Sequence, residues 1–127
     1  MRRVKLVLIK PVYRVWNRNG KEVVREFDYE LKGDVVEGVY NYAKMIRERY
    51  GYITKIEIVR SGKRTLIRFV DNRDNAVPLY VDVETGYVYV PEAYIKKFGK
   101  KFAHVVVSYF VGNSGIYNVR SRVVSNL

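Results

Sequence analysis

The chain has 127 residues, of which 48% are hydrophobic and 29% are charged, as is typical of one folded globular domain. It contains no cysteine, which excludes disulfides, thiolate metal sites and cysteine nucleophiles. No apolar stretch approaches the roughly 20 residues of a membrane-spanning helix. The sequence therefore predicts a soluble, cytoplasmic protein with no membrane partner.

The formal net charge of +11 is the strongest signal in the composition. Residues 1–21 hold seven basic side chains and no acid, and residues 93–127 hold six basic side chains and no acid. Residues 22–92 are nearly balanced. An excess of cations favours polyanions, because binding releases the counterions condensed on them. The alternative interpretation is a basic surface that serves only solubility.

Two strands and a hairpin are predicted first along the chain. Residues 4–16 are rich in β-branched and aromatic side chains, and residues 21–29 alternate between apolar and polar ones. Asn19 and Gly20 between them tolerate the positive φ angles of a tight hairpin turn. Pro11 lacks an amide donor, which indicates an edge strand or a bulge at that point.

Residues 34–50 are the clearest predicted helix. Asp34 is suited to cap its first turn with Glu37 three residues on, and Gly51 is suited to end it. Apolar side chains recur at helical spacing and predict one buried stripe, which comprises Val35, Val39, Ala43, Ile46 and Tyr50.

A meander and a second, short helix follow. Pro91 favours the first turn of a helix, and Gly99 favours its end. Turn residues divide the segment before that helix into four predicted strands, near residues 52–60, 64–71, 76–83 and 86–90.

The C-terminal quarter is predicted to hold one more strand and a tail. Residues 102–111 are apolar on both faces of a strand, which indicates a central position or a subunit contact, and hence a homodimer. Residues 119–127 are polar and are expected to be a loosely held tail. The whole chain, 1–127, is one domain in the order ββαββββαβ. The predicted fold class is α+β, mainly an antiparallel sheet with one amphipathic helix packed on one face and a second short helix.

Three basic clusters are candidate contacts to the phosphates of a nucleic acid. Tyr94 and Phe102 lie beside the densest cluster, where their rings are suited to stack on bases. The alternative is that exposed turns are commonly polar, and that cations at the end of a helix satisfy its dipole. The candidates are Arg18 and Lys21 at the first hairpin tip, Arg60, Lys63 and Arg64 at the second, and Lys96, Lys97, Lys100 and Lys101 around the short helix.

Twelve tyrosines form a second compositional bias. Tyr80 lies on one predicted strand, and Tyr87 and Tyr89 share a face of the next, an arrangement that suits an RNA-stacking platform. The alternative is ordinary packing, because tyrosine is a good strand former with a half-buried ring.

Signals for catalysis are weak. His104 is the only histidine and falls in the apolar stretch 102–111, where a hydrogen-bonded core residue is the simplest interpretation. A single histidine excludes a two-histidine zinc site. Four carboxylates close in sequence are candidate ligands for a cation such as Mg²⁺, namely Asp71, Asp74, Asp82 and Glu84. Asp71 and Asp74 also suit a turn, and an extended strand would place Asp82 about 25 Å from Asp74. We expect no catalytic residue, metal or cofactor.

The composition resembles that of small proteins of hyperthermophilic archaea and their viruses. Glutamine is absent, and Lys, Arg, Val and Tyr are abundant in stretches such as Val39-Tyr40-Asn41-Tyr42 and Gly86-Tyr87-Val88-Tyr89-Val90. The resemblance implies a thermophilic archaeal or viral origin, and it transfers no functional residue.

The leading hypothesis from the sequence is a non-enzymatic polyanion-binding module. It is expected to bind nucleic acid through non-specific phosphate contacts as a homodimer. Two alternatives stay open: a structural or interaction protein whose charge serves only solubility, and a metal-dependent nuclease that uses the acidic cluster.

Overall fold

The computed structural model describes residues 4–10, 12–16, 19–71 and 79–126, with the backbone alone for 12–16, 71 and 121–126. Within these residues the architecture is α+β, as predicted, with two antiparallel sheets and three helices, none of which is long and apolar enough to cross a membrane. In chain order the elements are β1 (Leu6–Leu8), β2 (Val12–Trp16), β3 (Glu22–Leu31), α1 (Val35–Tyr50), β4 (Thr54–Ser61), β5 (Arg64–Asp71), β6 (Leu79–Asp82), β7 (Val88–Pro91), α2 (Glu92–Phe98), α3 (Lys100–Asn113) and β8 (Tyr117–Asn126).

The larger sheet has five strands in the order β1-β7-β6-β5-β4. Strand β4 pairs with β5, β5 with β6 and β6 with β7, so the predicted meander is confirmed. Because side chains alternate between the faces of a strand, Ile67, Val81 and Val90 all point into the main core. The opposite face holds a smaller buried cluster around Leu66 and Tyr80.

The smaller sheet has the order β2-β3-β8. The predicted hairpin between β2 and β3 is confirmed by their antiparallel register, with Val15 opposite Val23. Gly20 in the connection has a φ of 74°, the left-handed region that glycine adopts without strain. Pro11 lies outside the described residues.

The loose tail expected over residues 119–127 is a wrong prediction, because β8 extends to Asn126 along the free edge of β3. Its register runs from Leu31 opposite Tyr117 to Val23 opposite Asn126, with one irregularity next to Val24. Strand pairing uses backbone amides and carbonyls, which are the same whatever the side chains are. The polar composition of the segment therefore gave no sign of this pairing.

Helix α1 begins and ends as predicted. The Glu37 amide donates to the Asp34 carboxylate at 2.9 Å, and Gly51 ends the helix with a φ of 71°. The buried face is rotated slightly from the predicted stripe: Tyr42 is buried and Tyr50 is half-exposed.

The strand predicted over residues 102–111 is a further correction, because this segment belongs to helix α3. Its valines favour strands, yet Ala103, Val107 and Phe110 recur at helical spacing and are all completely buried. Packing of this face against the sheet outweighs the weaker local propensity. The homodimer was inferred from a strand with two apolar faces, so that premise no longer holds and the homodimer stays a prediction.

Phe110 of α3 lies at the centre of the main core. Its ring is 5.1 Å from the ring of Tyr42 on α1, 5.1 Å from Phe69 on β5 and 5.9 Å from Tyr117 on β8. Edge-to-face aromatic contacts of this kind add to the free energy gained by burial. One residue thus joins two helices and both sheets, which fixes α3 on the sheet and determines where its lysine-rich N-terminus lies.

Candidate functional site

The nine basic residues singled out from the sequence lie in separate places. Lys96 and Lys97 lie in the last turn of α2, and Lys100 and Lys101 lie in the first turn of α3, so these four come together at one turn. Residues 60–64 form the exposed β4–β5 hairpin tip, and Lys21 is exposed just before β3. Arg18 lies outside the described residues.

Gly99 creates the turn that gathers the four lysines. Its φ of 94° ends α2, and its amide donates to the Ile95 carbonyl at 2.8 Å. The same residue is the N-cap of α3, so the chain passes from one helix to the next through a single glycine. A side chain at this φ would strain the backbone. The lysines on either side of Gly99 are all exposed.

The lysines before and after Gly99 differ in their electrostatic setting. Lys96 and Lys97 lie at a helix C-terminus, where cations complement the dipole, and Lys96 also pairs with Glu92 at 3.8 Å. Lys100 and Lys101 lie at a helix N-terminus, where cations are unfavourable. That turn has no acidic residue and no side-chain cap. The helix dipole therefore accounts for Lys96 and Lys97, and it does not account for Lys100 and Lys101.

Three aromatic rings lie against this lysine turn. Tyr94, Phe98 and Phe102 follow one another at intervals of four residues, with ring centroids 4.5 Å apart between the first two and 6.3 Å apart between the last two. Tyr94 is buried, whereas Phe98 and Phe102 are 38% and 46% exposed. The Lys97 ammonium lies 5.1 Å from the centre of the Phe98 ring. Solvent thus reaches two adjacent phenylalanine rings bordered by cations.

The sequence identified only part of this aromatic group. Tyr94 and Phe102 were the candidates for stacking on bases; Phe102 is exposed, whereas Tyr94 is buried, and the exposed Phe98 was not among the candidates. The four-residue interval between the three rings was the available signal, because residues four apart are neighbours on a helix. It did not show that the rings lie together, because residues 102–111 were predicted to be a strand. We call Lys96, Lys97, Phe98, Lys100, Lys101 and Phe102 the α2–α3 patch.

The β4–β5 tip is less available for binding than its composition suggests. The Arg64 guanidinium donates to the Tyr89 hydroxyl at 3.0 Å and lies 5.7 Å from the centre of that ring. This contact holds Arg64 against the sheet. Arg60 and Lys63 are exposed.

The predicted tyrosine platform is not an open surface. Tyr80 and Tyr89 are direct neighbours on β6 and β7, but both are buried, and of the three predicted tyrosines only Tyr87, just before β7, is exposed. Beside Tyr80, the Arg68 guanidinium donates to the Glu57 carboxylate at 3.0 Å. Hydrogen bonds from Lys55 and Arg68 keep the pKa of Glu57 below its ordinary value. Lys55 and Arg68 therefore already share an acidic partner, Glu57.

The acidic residues do not assemble into a metal site within the described part of the chain. One carboxylate oxygen of Asp82 accepts the amides of Glu84 and Thr85 at 2.8 and 3.1 Å, so this buried side chain closes the β6–β7 turn. The side chain of Asp71 and all of Asp74 lie outside the described residues.

His104 lies on α3 rather than on a strand. Burial lowers its pKa below the ordinary value, and a hydrogen bond to the Lys10 backbone partly opposes this effect. Burial therefore disfavours the charged form of this imidazole. It lies one turn from Lys100 on α3, and no carboxylate among the described residues pairs with it to orient it as a base.

The α2–α3 patch is the one place in the described structure where the predicted cations and exposed aromatic rings meet. Its lysines come from two helices joined at Gly99, and its rings lie between them. The chain was compared with protein-family models, with curated proteins and with solved structures, and none of them matches it.

Proposed function

We propose that this protein is a non-enzymatic nucleic-acid-binding module that contacts phosphates through the α2–α3 patch. The observation that carries the proposal is the position of Lys100 and Lys101, exposed at a helix N-terminus and next to the exposed ring of Phe102. The amide groups of a helix N-terminus and the two ammonium groups all favour an anion there.

The chemistry of the patch suits a sugar–phosphate chain that carries bases. Ammonium groups bind phosphates without regard to sequence, and each contact releases condensed counterions. Phenylalanine rings offer a flat apolar face on which any base stacks. Lys97, Lys100 and Lys101 have no ion pair with a described residue, so no carboxylate has to be displaced before an anion binds.

The placement of the charges favours this function over a purely solubilising one. Cations that serve only solubility could occupy any exposed position. At a helix N-terminus they are repelled by the positive end of the helix dipole, so solubility alone does not explain this placement. Like charges on neighbouring turns also repel each other. Both costs are offset when a polyanion binds across the patch. Arg60 and Lys63 at the β4–β5 tip are exposed and supply further non-specific contacts.

The test is a titration of labelled oligonucleotides followed by fluorescence anisotropy at low and increasing salt. The wild-type protein is expected to bind with a Kd of about 1–100 μM that weakens steeply with salt. The double variant Lys100→Gln/Lys101→Gln is expected to bind about tenfold more weakly, with a salt dependence reduced by about one phosphate contact per lysine.

The matched control removes the same charge from elsewhere. Lys32→Gln/Lys44→Gln replaces two exposed lysines outside the patch and is expected to bind within about twofold of the wild type. Equal losses in both double variants would mean that only overall charge matters. No binding by the wild type at low salt would overturn the proposal, and self-association in that case would favour an interaction protein.

A further inference from the structure

A second feature lies beside the α2–α3 patch, along the same helix. A groove of about 320 Å³ opens between the second half of α1 and the middle of α3. Its volume lies at the lower end of the range for small-ligand sites, ~300–1,000 Å³. It is lined by Tyr42, Ile46, Tyr50, Tyr52, Val105, Val106 and Tyr109.

The walls of the groove are aromatic and aliphatic, and its rim is polar. The rings of Tyr50 and Tyr52 are nearly parallel, with centroids 5.7 Å apart. The hydroxyls of Tyr50 and Tyr109 share a hydrogen bond of 2.8 Å across the opening. A hydroxyl both donates and accepts, so this pair offers hydrogen bonds of either kind to a planar heterocycle. Val105 on the α3 side is 53% exposed.

One basic side chain interacts with a residue of the groove wall, and a second lies one helical turn away from another. The Arg49 side chain is close enough to the Tyr50 hydroxyl to interact with it, although the hydrogen bond with Tyr109 dominates and raises the pKa of Tyr50. On α3, Lys101 lies four residues before Val105, and such residues are neighbours on a helix surface. Planar apolar walls with basic side chains nearby complement a flat base attached to an anionic backbone.

Helical spacing places the α2–α3 patch next to the groove along α3. Phe102, Val106 and Tyr109 lie on one side of α3 at intervals of four and three residues. One helical turn advances about 5.4 Å, so Phe102 lies about one turn from the groove. A strand that binds phosphates at Lys100 and Lys101 and stacks a base on Phe102 is thereby led directly to the groove.

We propose that the groove receives an unpaired nucleobase, which makes the protein a binder of single-stranded rather than double-stranded nucleic acid. This inference rests on the proposed function, because the α2–α3 patch holds the backbone that presents the base. A base in a duplex is stacked and paired, and it has to leave the stack before it can enter the groove. A base in a single strand is free to enter.

The experiment compares three oligonucleotide probes and two variants by fluorescence anisotropy. The probes are two single strands of equal length, one with bases and one with abasic sugars throughout, and a duplex of the same length. Val105→Trp fills the groove with a large side chain, and Val36→Trp makes the same change at an exposed position on α1 that does not line the groove. Circular dichroism and thermal melting of both variants confirm that they fold.

The wild type is expected to bind the base-containing strand about tenfold more tightly than the abasic strand and than a duplex of equal length. Val105→Trp is expected to lose most of that preference, with the rest supplied by stacking on Phe102, while it keeps the wild-type salt dependence. Val36→Trp is expected to behave as the wild type. Val105→Trp that retains the full preference would overturn the inference and leave phosphate binding by the patch intact. Absence of binding to every probe would overturn the proposed function itself.

Discussion

The hydroxyl of Tyr29 on β3 accepts the backbone amide of Val88 on β7 at 2.9 Å. The same hydroxyl donates to the carbonyl of Ile9 at 3.0 Å, while the Ile9 amide donates directly to the Val88 carbonyl at 3.1 Å. The second backbone hydrogen bond of this pair, from the Val88 amide to the Ile9 carbonyl, is thus replaced by the Tyr29 hydroxyl, which comes from the smaller sheet and bridges the two groups. Tyr117 of β8 makes a similar link, because its hydroxyl donates to the Gly86 carbonyl at 2.7 Å. Two buried tyrosines therefore fasten the smaller sheet to the larger one.

Removal of the Tyr29 hydroxyl is expected to destabilise the fold. Tyr29→Phe leaves the Val88 amide and the Ile9 carbonyl without their partner in a buried place, which costs about 2 kcal/mol of unfolding free energy. Urea denaturation measures the change. Tyr40→Phe, at an exposed tyrosine of α1, is the control and is expected to cost nothing measurable. An unchanged stability of Tyr29→Phe would mean that β1 and β7 close up and pair directly.

The stability of the fold is expected to fall in alkali. Burial raises the pKa of Tyr29 from 10.0 to about 12, with the Val88 hydrogen bond opposing it, and burial also raises the pKa of Tyr117. The folded protein therefore keeps protons that the unfolded chain releases. The stabilisation is complete below pH 10 and is lost as the pH rises towards 12. At pH 11 Tyr29 alone accounts for a loss of about 1.4 kcal/mol.

Urea denaturation at pH 9 and pH 11 measures this loss. Tyr29→Phe cannot ionise at that position, so its stability is expected to fall less between the two pH values than that of the wild type. Parallel declines would contradict the assignment to Tyr29.

Lys100 and Lys101 are expected to lower the free energy of unfolding of the protein when no nucleic acid is bound. Lys100→Glu and Lys101→Glu place acids in the first turn of α3, which has none, and each is expected to stabilise the helix by about 0.5–1 kcal/mol at low salt. The same changes are expected to abolish oligonucleotide binding. Thermal melting and anisotropy on the same samples separate the two effects. A less stable variant would show that these lysines have a structural role instead.

Neither Mg²⁺ nor Mn²⁺ is expected to support cleavage of DNA or RNA by this protein. The Asp82 oxygen that faces the β6–β7 turn already accepts two backbone amides, so the carboxylate has a structural task. Incubation of labelled DNA and RNA with the protein and millimolar metal tests this. Cleavage that disappears in a folded Asp82→Ala variant would contradict it and would revive the nuclease alternative.

Local signals in the sequence account for most of the first two-thirds of the fold. Asp34 and Gly51 bound α1 through capping chemistry that involves only nearby residues, and Asn19 and Gly20 mark a hairpin for the same reason. Residues 102–111 were misjudged because valine favours strands, and the packing of Val107 and Phe110 that decides for a helix comes from distant segments. The partner of β8 is likewise distant in sequence.

The candidate site was predictable in its charges and not in its geometry. The lysines between residues 96 and 101 stand out in the sequence. That two of them lie at a helix N-terminus depends on α3, and α3 was not predicted to be a helix. The exposure of Phe98 and the groove beside Val105 arise from how α1, α2 and α3 pack together. No local pattern of residues encodes that arrangement.

The most direct test of the central claim is to map amide chemical shifts of the labelled 15.0 kDa protein during titration with a single-stranded oligonucleotide. The largest changes are expected at residues 96–102, around Gly99, with further changes along α3 towards Tyr109. Changes confined to the β4–β5 tip, or small changes spread evenly over the basic surface, would contradict the assignment of the α2–α3 patch as the binding site.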